Sequence, residues 1–152
     1  MTDVRQILHS EMLPRFLTYL KSGDVVYEIG KGAYDYKGIV PNLITLDKDN
    51  KKCPDIEVDI EQYSDLMCDA VMCIGVTEEC NNPFELIKGV HRLLNLNSVV
   101  LFGIALTGNP IYDKDYWRCT INGSVKLIEG HFKIIEQRFV EDKYAFFIAR
   151  KI

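Results

Sequence analysis

Three acidic residues end or interrupt short apolar runs that read as strands: Glu28, Asp47 and Asp59. The carboxyl ends of parallel strands meet along one edge of a sheet, and ligands bind in the crevice outside that edge. A carboxylate after the second strand can accept hydrogen bonds from both hydroxyls of a ribose. We therefore expect Asp47 to bind a nucleoside-like ligand. The alternative is a solvated turn carboxylate beside Lys48 and Asp49.

Two closely spaced glycines follow the first apolar run, in the segment 25–34 that reads VVYEIGKGAY. Gly30 and Gly32 would let the backbone turn tightly and approach a ligand with no Cβ in the way. Asp47 follows Gly30 by 17 residues, close to the spacing of about 20 residues in dinucleotide-binding folds. A Gly-x-Gly pair also occurs in ordinary turns, so the pair favours a nucleotide site only together with the acidic residues.

Composition narrows the class of protein. The chain has 152 residues, 47% of them hydrophobic and 26% charged, which is typical of one globular domain with a real core. A net charge of −4 argues against nucleic acid as a partner. The N-terminus lacks a signal-peptide pattern, and no apolar run approaches the roughly 20 residues of a membrane span. The five cysteines include no Cys-x-x-Cys pair, so we expect reduced cysteines, a cytoplasmic protein and no metal site.

The elements that must position these residues follow from the apolar pattern. Helical spacing of apolar residues predicts an N-terminal helical cap over residues 1–22, which Pro14 should break or kink. Asn82, Pro83 and Glu85 form a helix start before an apolar stripe that reaches Leu94. A further short helix is expected at 122–129. Strands are expected at residues 25–27, 43–46, 56–60, 70–74, 98–102, 132–140 and 144–148.

Strands that alternate with helices imply a parallel sheet, and the closing hairpin adds an antiparallel strand. We therefore predict one α/β domain over residues 1–152. The first two crossovers are short. Residues 31–42 are close to the minimum for a parallel connection, and residues 48–54 are too few for a helix. One face of the sheet should be thinly covered, or the third strand vestigial.

Several segments, in this order, carry a resemblance to a known family: EIGKG, ITLD, VDI, CDAVMCIGVTEE, NNPFELIKGVHRLL, SVVLFGI and DKDYWRCT. Together they resemble the class I S-adenosylmethionine-dependent methyltransferases over roughly residues 23–150. The chain is most similar to the small bacterial type with an Asp-Tyr-Trp-Arg segment after strand 5, often found with glycan- or sugar-modifying genes. The resemblance implies a doubly wound Rossmann-like sheet of order 3-2-1-4-5-7-6, with strand 7 antiparallel, and S-adenosylmethionine as cofactor.

The resemblance also implies eight cofactor contacts at the ends of strands 1 to 4: Glu28, Gly30, Gly32, Asp47, Asp59, Ile60, Ile74 and Gly75. The two glycines would face the methionine part, and Glu28 would hold its amino group directly or through water. Asp47 would bind the ribose hydroxyls. Asp59 would reach the adenine amino group, with the following isoleucine against the ring. The last two residues would line the cofactor beneath the acceptor.

The implied reaction is direct displacement, in which an acceptor oxygen or nitrogen of a small molecule or sugar attacks the sulfonium methyl group. Such catalysis is mostly alignment and desolvation. If a base is needed, four carboxylates stand at this edge: Glu78, Glu79, Asp113 and Asp115. An acceptor lid could be formed by aromatic and cationic side chains after strand 5: Tyr116, Trp117 and Arg118. The alternative is that this segment is only a packed flap.

The chain departs from the family pattern at three places. Tyr34 stands where a third glycine is usual, Glu78-Glu79 replace a Glu-His pair, and residues 95–98 replace Lys-Pro-Gly-Gly. These departures leave open a degenerate, non-catalytic member that binds or scaffolds. A nicotinamide dehydrogenase is a second alternative, but its glycine loop would need glycine where Asp35 stands. The sequence does not indicate the oligomeric state.

Overall fold

The structure, a computed structural model, describes residues 3–152 and is built on one seven-stranded sheet. The strands are β1 (Val26–Ile29), β2 (Leu43–Asp47), β3 (Ile56–Glu57), β4 (Cys68–Ile74), β5 (Leu94–Ala105), β6 (Phe132–Val140) and β7 (Tyr144–Lys151). Their order is β3-β2-β1-β4-β5-β7-β6. The first five run parallel, and β7 is antiparallel to both β5 and β6. The predicted Rossmann-like sheet of the methyltransferase type, with its order and its antiparallel strand, is confirmed.

Side chains from alternate strand positions build two cores, one on each face of the sheet. Val26 belongs to the core beneath the N-terminal helix, and its neighbour Tyr27 belongs to the core on the opposite face. This alternation is the two-residue period of a strand with both faces covered. Helices α3 (Pro83–Leu93) and α4 (Ile121–Glu129) cover the second face. The central strands are therefore fixed on both sides, which makes the sheet edge a rigid platform.

Helix α3 begins where the sequence predicts. The Asn82 side-chain oxygen accepts hydrogen bonds from the backbone N–H of Phe84 at 2.9 Å and of Glu85 at 3.4 Å. Pro83 occupies the first turn, where no intrahelical donor is needed. The start of α3 is thus held in place directly after the loop that follows β4.

In residues 3–152 no helix is long and apolar enough to cross a membrane.

The N-terminal helical segment continues through the Pro14 region by way of a widened turn. Helix α1 (Val4–Ile7), a π-helical turn (Leu8–Met12) and α2 (Leu13–Leu17) follow one another without a break. The Leu13 N–H donates to Leu8, five residues back. Pro14 has no N–H and cannot continue a regular hydrogen-bond ladder, so the chain absorbs the defect in the preceding turn.

The early crossovers are as short as predicted. Residues 30–42, all within the described chain, form no helix, and the β2–β3 connection holds only the 3₁₀ turn Asn50–Lys52. Strand β3 is shorter than predicted, since the chain turns at Asp59 instead of continuing to residue 60. Strand β5 is longer, because Leu94 already pairs with Cys68.

Candidate functional site

A cavity of about 370 Å³ opens at the carboxyl ends of β1, β2 and β4, within the usual size range for small-molecule sites. Nine of the residues predicted for the site line it: Gly30, Gly32, Asp47, Asp59, Ile60, Ile74, Gly75, Glu79 and Tyr116. The other predicted residues do not: Glu28, Glu78, Asp113, Asp115, Trp117 and Arg118. The sheet edge therefore gathers most of the cofactor set, while most of the catalytic and substrate set lies beside it.

Gly30 ends β1 in a conformation that favours glycine. Its φ is +76°, and its N–H donates to the Leu46 carbonyl at 2.8 Å. A Cβ here would lie 2.7 Å from Val76 Cγ2, too close for any side chain. Gly32 differs, because apart from its chain neighbours no described atom lies within 4 Å of where its Cβ would be. Gly30 is thus required by backbone and packing, whereas Gly32 leaves open space at the cavity.

Asp47 presents an unsatisfied oxygen at the end of β2. The side chain is 7% exposed, and Oδ1 accepts the Asp49 N–H at 2.8 Å. Lys52 Nζ lies 3.5 Å from Oδ2, yet Oδ2 has no hydrogen-bond partner among residues 3–152. Buried polar atoms in native proteins are nearly always paired. This oxygen is therefore suited to accept a hydrogen bond from a ligand.

Glu61 is a cavity residue that the sequence analysis did not identify. Its Oε1 accepts the Asn82 N–H at 2.6 Å, and its Oε2 accepts the Asn81 N–H at 3.0 Å. Asp59 in turn accepts the Glu61 N–H at 3.0 Å. The carboxylate thus ties the loop after β3 to the start of α3. No sequence signal marks this role, because its partners are backbone groups 20 residues ahead that only the fold brings near.

Helix α3 and the loop after β3 also touch through a glycine. A Cβ on Gly89 would lie 2.0 Å from the Ile60 carbonyl oxygen. Arg92 reaches the same loop, with its guanidinium 3.2 Å from the Gln62 carbonyl. The backbone at Ile60 can lie against the helix only because position 89 has no side chain. The loop that supplies Asp59 and Ile60 to the cavity is therefore rigidly backed.

Glu28 lies inside β1 beneath a group of rings, away from the cavity lining. It is 7% exposed, and burial, with a contribution from the nearby Asp35 carboxylate, raises its pKa to about 7. The ring cluster (His9, Tyr34, Tyr36) has centroid separations of 4.6, 4.6 and 5.8 Å. Burial, then Glu28, raises the pKa of Tyr36 to about 12. Tyr34, which stands where a third glycine is usual, packs in this cluster.

The aromatic segment after β5 is fastened across the loop after β4, and we name it the strap (residues 112–118). The N–H groups of Tyr116 and Trp117 donate to the Glu78 carbonyl at 2.8 and 3.2 Å. The Trp117 indole N–H donates to the Cys80 carbonyl at 2.9 Å, and the Tyr112 hydroxyl donates to Glu79 at 2.6 Å. The strap is thus a fixed wall of the site in this structure.

The four charged residues of the strap divide into a pair, Asp115 and Arg118, and two exposed residues, Asp113 and Lys114, of which Lys114 lines the cavity. Arg118 pairs with Asp115, whose side chain is almost fully buried, and the guanidinium lowers the pKa of that carboxyl. Asp113 is exposed. Asp115 is already paired with Arg118, and Asp113 does not line the cavity. Neither is placed as a free base at the cavity.

Glu78 is a buried carboxyl just behind the cavity wall. It is 5% exposed, and its Oε2 has no hydrogen-bond partner in the described part of the chain. Burial raises its pKa to about 7, partly offset by Arg118. Gly75, which lines the cavity, has no Cβ, and one built there would lie 4.0 Å from Glu78 Oε1. Glu78 can therefore exchange a proton near neutral pH beside the cavity.

Neither a disulfide nor a metal cluster contributes to this site. All five cysteines are free. Across residues 3–152, no group of three or more His, Cys, Asp or Glu side chains could hold a metal ion.

No protein-family profile matches the chain, and no curated protein matches it in sequence. Solved structures are similar. The N-methyltransferase NodS from Bradyrhizobium japonicum WM9, in complex with S-adenosyl-L-homocysteine, has a TM-score of 0.68 and 15% identity, covering 93% of this chain and 86% of that chain. The 1,6-didemethyltoxoflavin-N1-methyltransferase of Burkholderia thailandensis, with bound 1,6-didemethyltoxoflavin and S-adenosylhomocysteine, has a TM-score of 0.69 and 15% identity, covering 97% and 81%.

A third similar structure bears a different activity in its name. The [4+2]-cyclase SpnF has a TM-score of 0.74 and 12% identity, covering 92% of this chain and 80% of that chain. At these identities the likeness establishes the fold alone. A fold can host several activities, so the activity must be argued from the site.

Proposed function

We propose that this chain binds S-adenosylmethionine in the cavity and transfers its methyl group to a nitrogen or oxygen of a small molecule. The sheet order and the bound S-adenosylhomocysteine of two similar structures support the proposal. The net charge of −4 gives no field to attract nucleic acid. A small molecule is therefore the acceptor class we propose, with a sugar among the candidates from the sequence resemblance.

The observation that carries this proposal is the buried Asp47 Oδ2, which has no hydrogen-bond donor among the described residues and only the Lys52 ammonium at 3.5 Å. A buried acceptor left without a donor costs roughly 1–3 kcal/mol, and the hydroxyls of a bound ribose would supply the donors. Asp47 lies at the end of β2, next to the β1 end at Gly30. A ribose held there would lie between the glycine turn and the loop that carries Asp59. The residues present thus fit the cofactor.

The other cofactor roles are assigned by position. Gly30 and Gly32 would face the methionine part, and Gly75 and Ile74 would line the cofactor beneath the acceptor. Asp59 would receive the adenine amino group, with Ile60 against the ring. Glu28 lies beneath the ring cluster and outside the cavity lining. Its proposed contact with the amino group therefore needs a bridging water.

The acceptor would approach the cavity beside the wall that the strap forms. Tyr116 lines the cavity, and Trp117 is 42% exposed above the loop. Among the proposed bases, Asp115 is held by Arg118 and Asp113 is exposed. Glu78 and Glu79 are therefore the stronger candidates for moving the acceptor proton.

The first prediction concerns Asp47→Asn, which keeps the Oδ1 acceptor for the Asp49 N–H and removes the charge at Oδ2. Charged hydrogen bonds contribute roughly 1.5–3 kcal/mol each. We expect the variant to bind S-adenosylhomocysteine at least about tenfold more weakly in calorimetry. The matched control is Asp65→Asn, which removes an exposed carboxylate outside the cavity lining and should bind normally.

If the folded Asp47→Asn variant binds S-adenosylhomocysteine as tightly as the wild-type chain, Asp47 does not contact the cofactor. Failure of the wild-type chain to bind S-adenosylmethionine or S-adenosylhomocysteine would overturn the proposed function. Radiolabelled S-adenosylmethionine incubated with a panel of amines and alcohols then separates transfer from binding alone. Binding without transfer would favour a non-catalytic role.

A further inference from the structure

Six polar side chains lie near one another at the ends of β4 and β5, partly lining the cavity and partly behind its wall, and we name them the acidic cluster: Glu78, Glu79, Asp115, Arg118, Tyr112 and Tyr144. Three carboxylates face one guanidinium, so the cluster carries a charge of −2 when all four groups are ionised. A buried site with excess negative charge disfavours further anions and attracts cations.

The hydrogen bonds inside the cluster leave one buried carboxylate oxygen, Glu78 Oε2, without a donor from residues 3–152. Arg118 and the Ile111 N–H bind Asp115, and the Tyr112 hydroxyl binds Glu79. The Glu78 carbonyl is occupied by the two strap N–H groups. The Glu78 carboxyl, 5% exposed, retains an Oε2 with no donor in the described chain. The cluster is therefore short of a donor, and the deficit lies at Glu78.

We propose that the acceptor is an amine that enters as its ammonium ion and is held by Glu78. This inference rests on the proposed function and specifies the acceptor. An ammonium offers three donors and a positive charge, whereas an alcohol offers one donor and no charge. Only the ammonium can both donate a hydrogen bond to Glu78 Oε2 and offset the excess negative charge. An ordered water could fill the donor deficit but would leave the charge uncompensated.

Gly75 provides the route between cavity and carboxyl. It lines the cavity at the end of β4, and the place of its missing Cβ is 4.0 Å from Glu78 Oε1 and 3.6 Å from the Tyr144 hydroxyl. Gly30, at the end of β1, lies next to Val76, the residue that follows Gly75. A group at the reacting end of a cofactor that spans Gly30 and Gly75 would therefore face Glu78 with no side chain at position 75 between them.

The proposed step moves one proton to Glu78 and one methyl group to the amine nitrogen. The ammonium gives one proton to the Glu78 carboxylate and becomes a neutral amine. Its lone pair then forms the new N–C bond to the methyl carbon, and the C–S bond breaks with its electrons left on sulfur. The products are a methylated ammonium, S-adenosylhomocysteine and protonated Glu78, which releases its proton to solvent. A carboxyl with a pKa of about 7 can do both near neutral pH.

The groups around Glu78 come from β4, β7, the loop after β4 and the strap: Cys73, Tyr144, Glu79, Cys80, Tyr112, Asp115, Arg118 and Cys119. Burial raises the pKa of the thiols and phenols, and Arg118 lowers the pKa of Asp115. These shifts move the thiols, the phenols and Asp115 further from neutrality and leave Glu78 with a pKa of about 7.

Sinefungin tests the proposal without knowledge of the acceptor. In this analogue an amino group on carbon replaces the sulfonium methyl, so it places an ammonium at the reacting position. We expect the wild-type chain at pH 8 to bind sinefungin at least about tenfold more tightly than S-adenosylhomocysteine, the gain of a charged hydrogen bond. Glu78→Gln should bring the two affinities together. Glu129→Gln, which removes an exposed carboxylate at the end of α4, should keep the preference.

The wild-type preference should also shrink as pH falls from 8 to 6, because Glu78 takes up a proton. This arm keeps the test decisive if Glu78→Gln does not fold. Equal affinities in the wild-type chain, or a preference that persists in Glu78→Gln, would overturn the amine proposal and leave cofactor binding intact. Binding of neither ligand would overturn the proposed function, and the inference with it.

Discussion

At the scale of single residues, two glycines that look alike in the sequence have different roles. Gly30 has a positive φ and a close neighbour in Val76, whereas Gly32 has neither. A Gly-x-Gly pattern cannot distinguish them, because φ and the approach of Val76 depend on the chain after β4. The structure thus divides the motif into one position that the backbone requires and one that lines the cavity.

The prediction at this scale is that Gly30→Ala destabilises the protein and Gly32→Ala does not. A left-handed conformation costs an alanine roughly 1–2 kcal/mol, and the contact with Val76 adds to that. Chemical denaturation should show a loss of at least about 1 kcal/mol for Gly30→Ala. The control, Gly32→Ala, should be as stable as the wild-type chain.

Val76→Ala provides a second check on the Gly30 prediction. It removes the Cγ2 atom that a Cβ at position 30 would meet. The Gly30→Ala, Val76→Ala double variant should therefore be more stable than the sum of the single effects implies. Strict additivity would show that the cost is only backbone strain. Wild-type stability of Gly30→Ala would make the β1 end an ordinary turn.

Sequence reasoning reached some site residues and missed others for a physical reason. Asp47 closes an apolar run and could be placed at a strand end from local pattern alone. Glu61 could not be found, because the N–H groups it binds are brought to it by the fold. Glu28 was expected at the end of a strand, but the strand continues past it and buries it in β1. Local pattern fixes which element a residue occupies but not its distant partners.

At the scale of elements, the strap is a short irregular segment held by hydrogen bonds. Trp117 is 42% exposed, and its indole N–H is bound to the Cys80 carbonyl. A fully buried tryptophan truncated to alanine costs roughly 3–5 kcal/mol, and this ring is far from fully buried. The contacts of the strap favour a wall of the site over a part of the core.

We therefore predict that Trp117→Ala lowers the free energy of unfolding by no more than about 2 kcal/mol. S-adenosylhomocysteine affinity should be unchanged, because Trp117 does not line the cavity. Trp117→Phe keeps the ring and removes the N–H bond to Cys80, so it separates packing from tethering. A loss above about 3 kcal/mol in thermal or urea melts of Trp117→Ala would assign the strap to the core.

Element order was more predictable than element length. Alternating apolar runs and the capped start of α3 predicted a parallel sheet with a closing hairpin, whereas the strand order was predicted only by the family resemblance. The length of β5 was underestimated, because residues 94–97 alternate leucine with asparagine and only Leu94 of these pairs with β4, across an irregular register. The π-helical turn was also beyond the sequence, which marks the defect at Pro14 but not how the helix absorbs it.

At the scale of the whole molecule, two buried carboxyls set the pH dependence of stability. The pKa values of Glu28 and Glu78 rise from 4.5 to about 7, in each case chiefly through burial. Between these values the folded chain holds protons that the unfolded chain has released. The free energy of unfolding therefore falls as pH rises from about 4.5 to about 7, and levels above that.

Glu28→Gln should remove one of these two contributions. The variant should match the wild-type chain near pH 4.5 and exceed its stability at pH 8 by on the order of 1–3 kcal/mol. His131, whose burial lowers its pKa, acts in the opposite sense but equally in both chains. Urea unfolding across pH 4.5–8 measures the difference. Parallel curves for the two chains would show that Glu28 is not protonated on folding.

One residue of α3 carries a consequence for how this chain can evolve. Gly89 is buried in the helix, where alanine would be favoured by about 1 kcal/mol. Any mutation there would displace Ile60 and the loop that forms one wall of the cavity. Natural selection that preserves this wall of the cavity, and not selection for a more stable helix, therefore limits the residue types that position 89 can hold. Descendants of this chain that keep the cavity are expected to keep this glycine, and loss of it would mark a lineage that has abandoned the site.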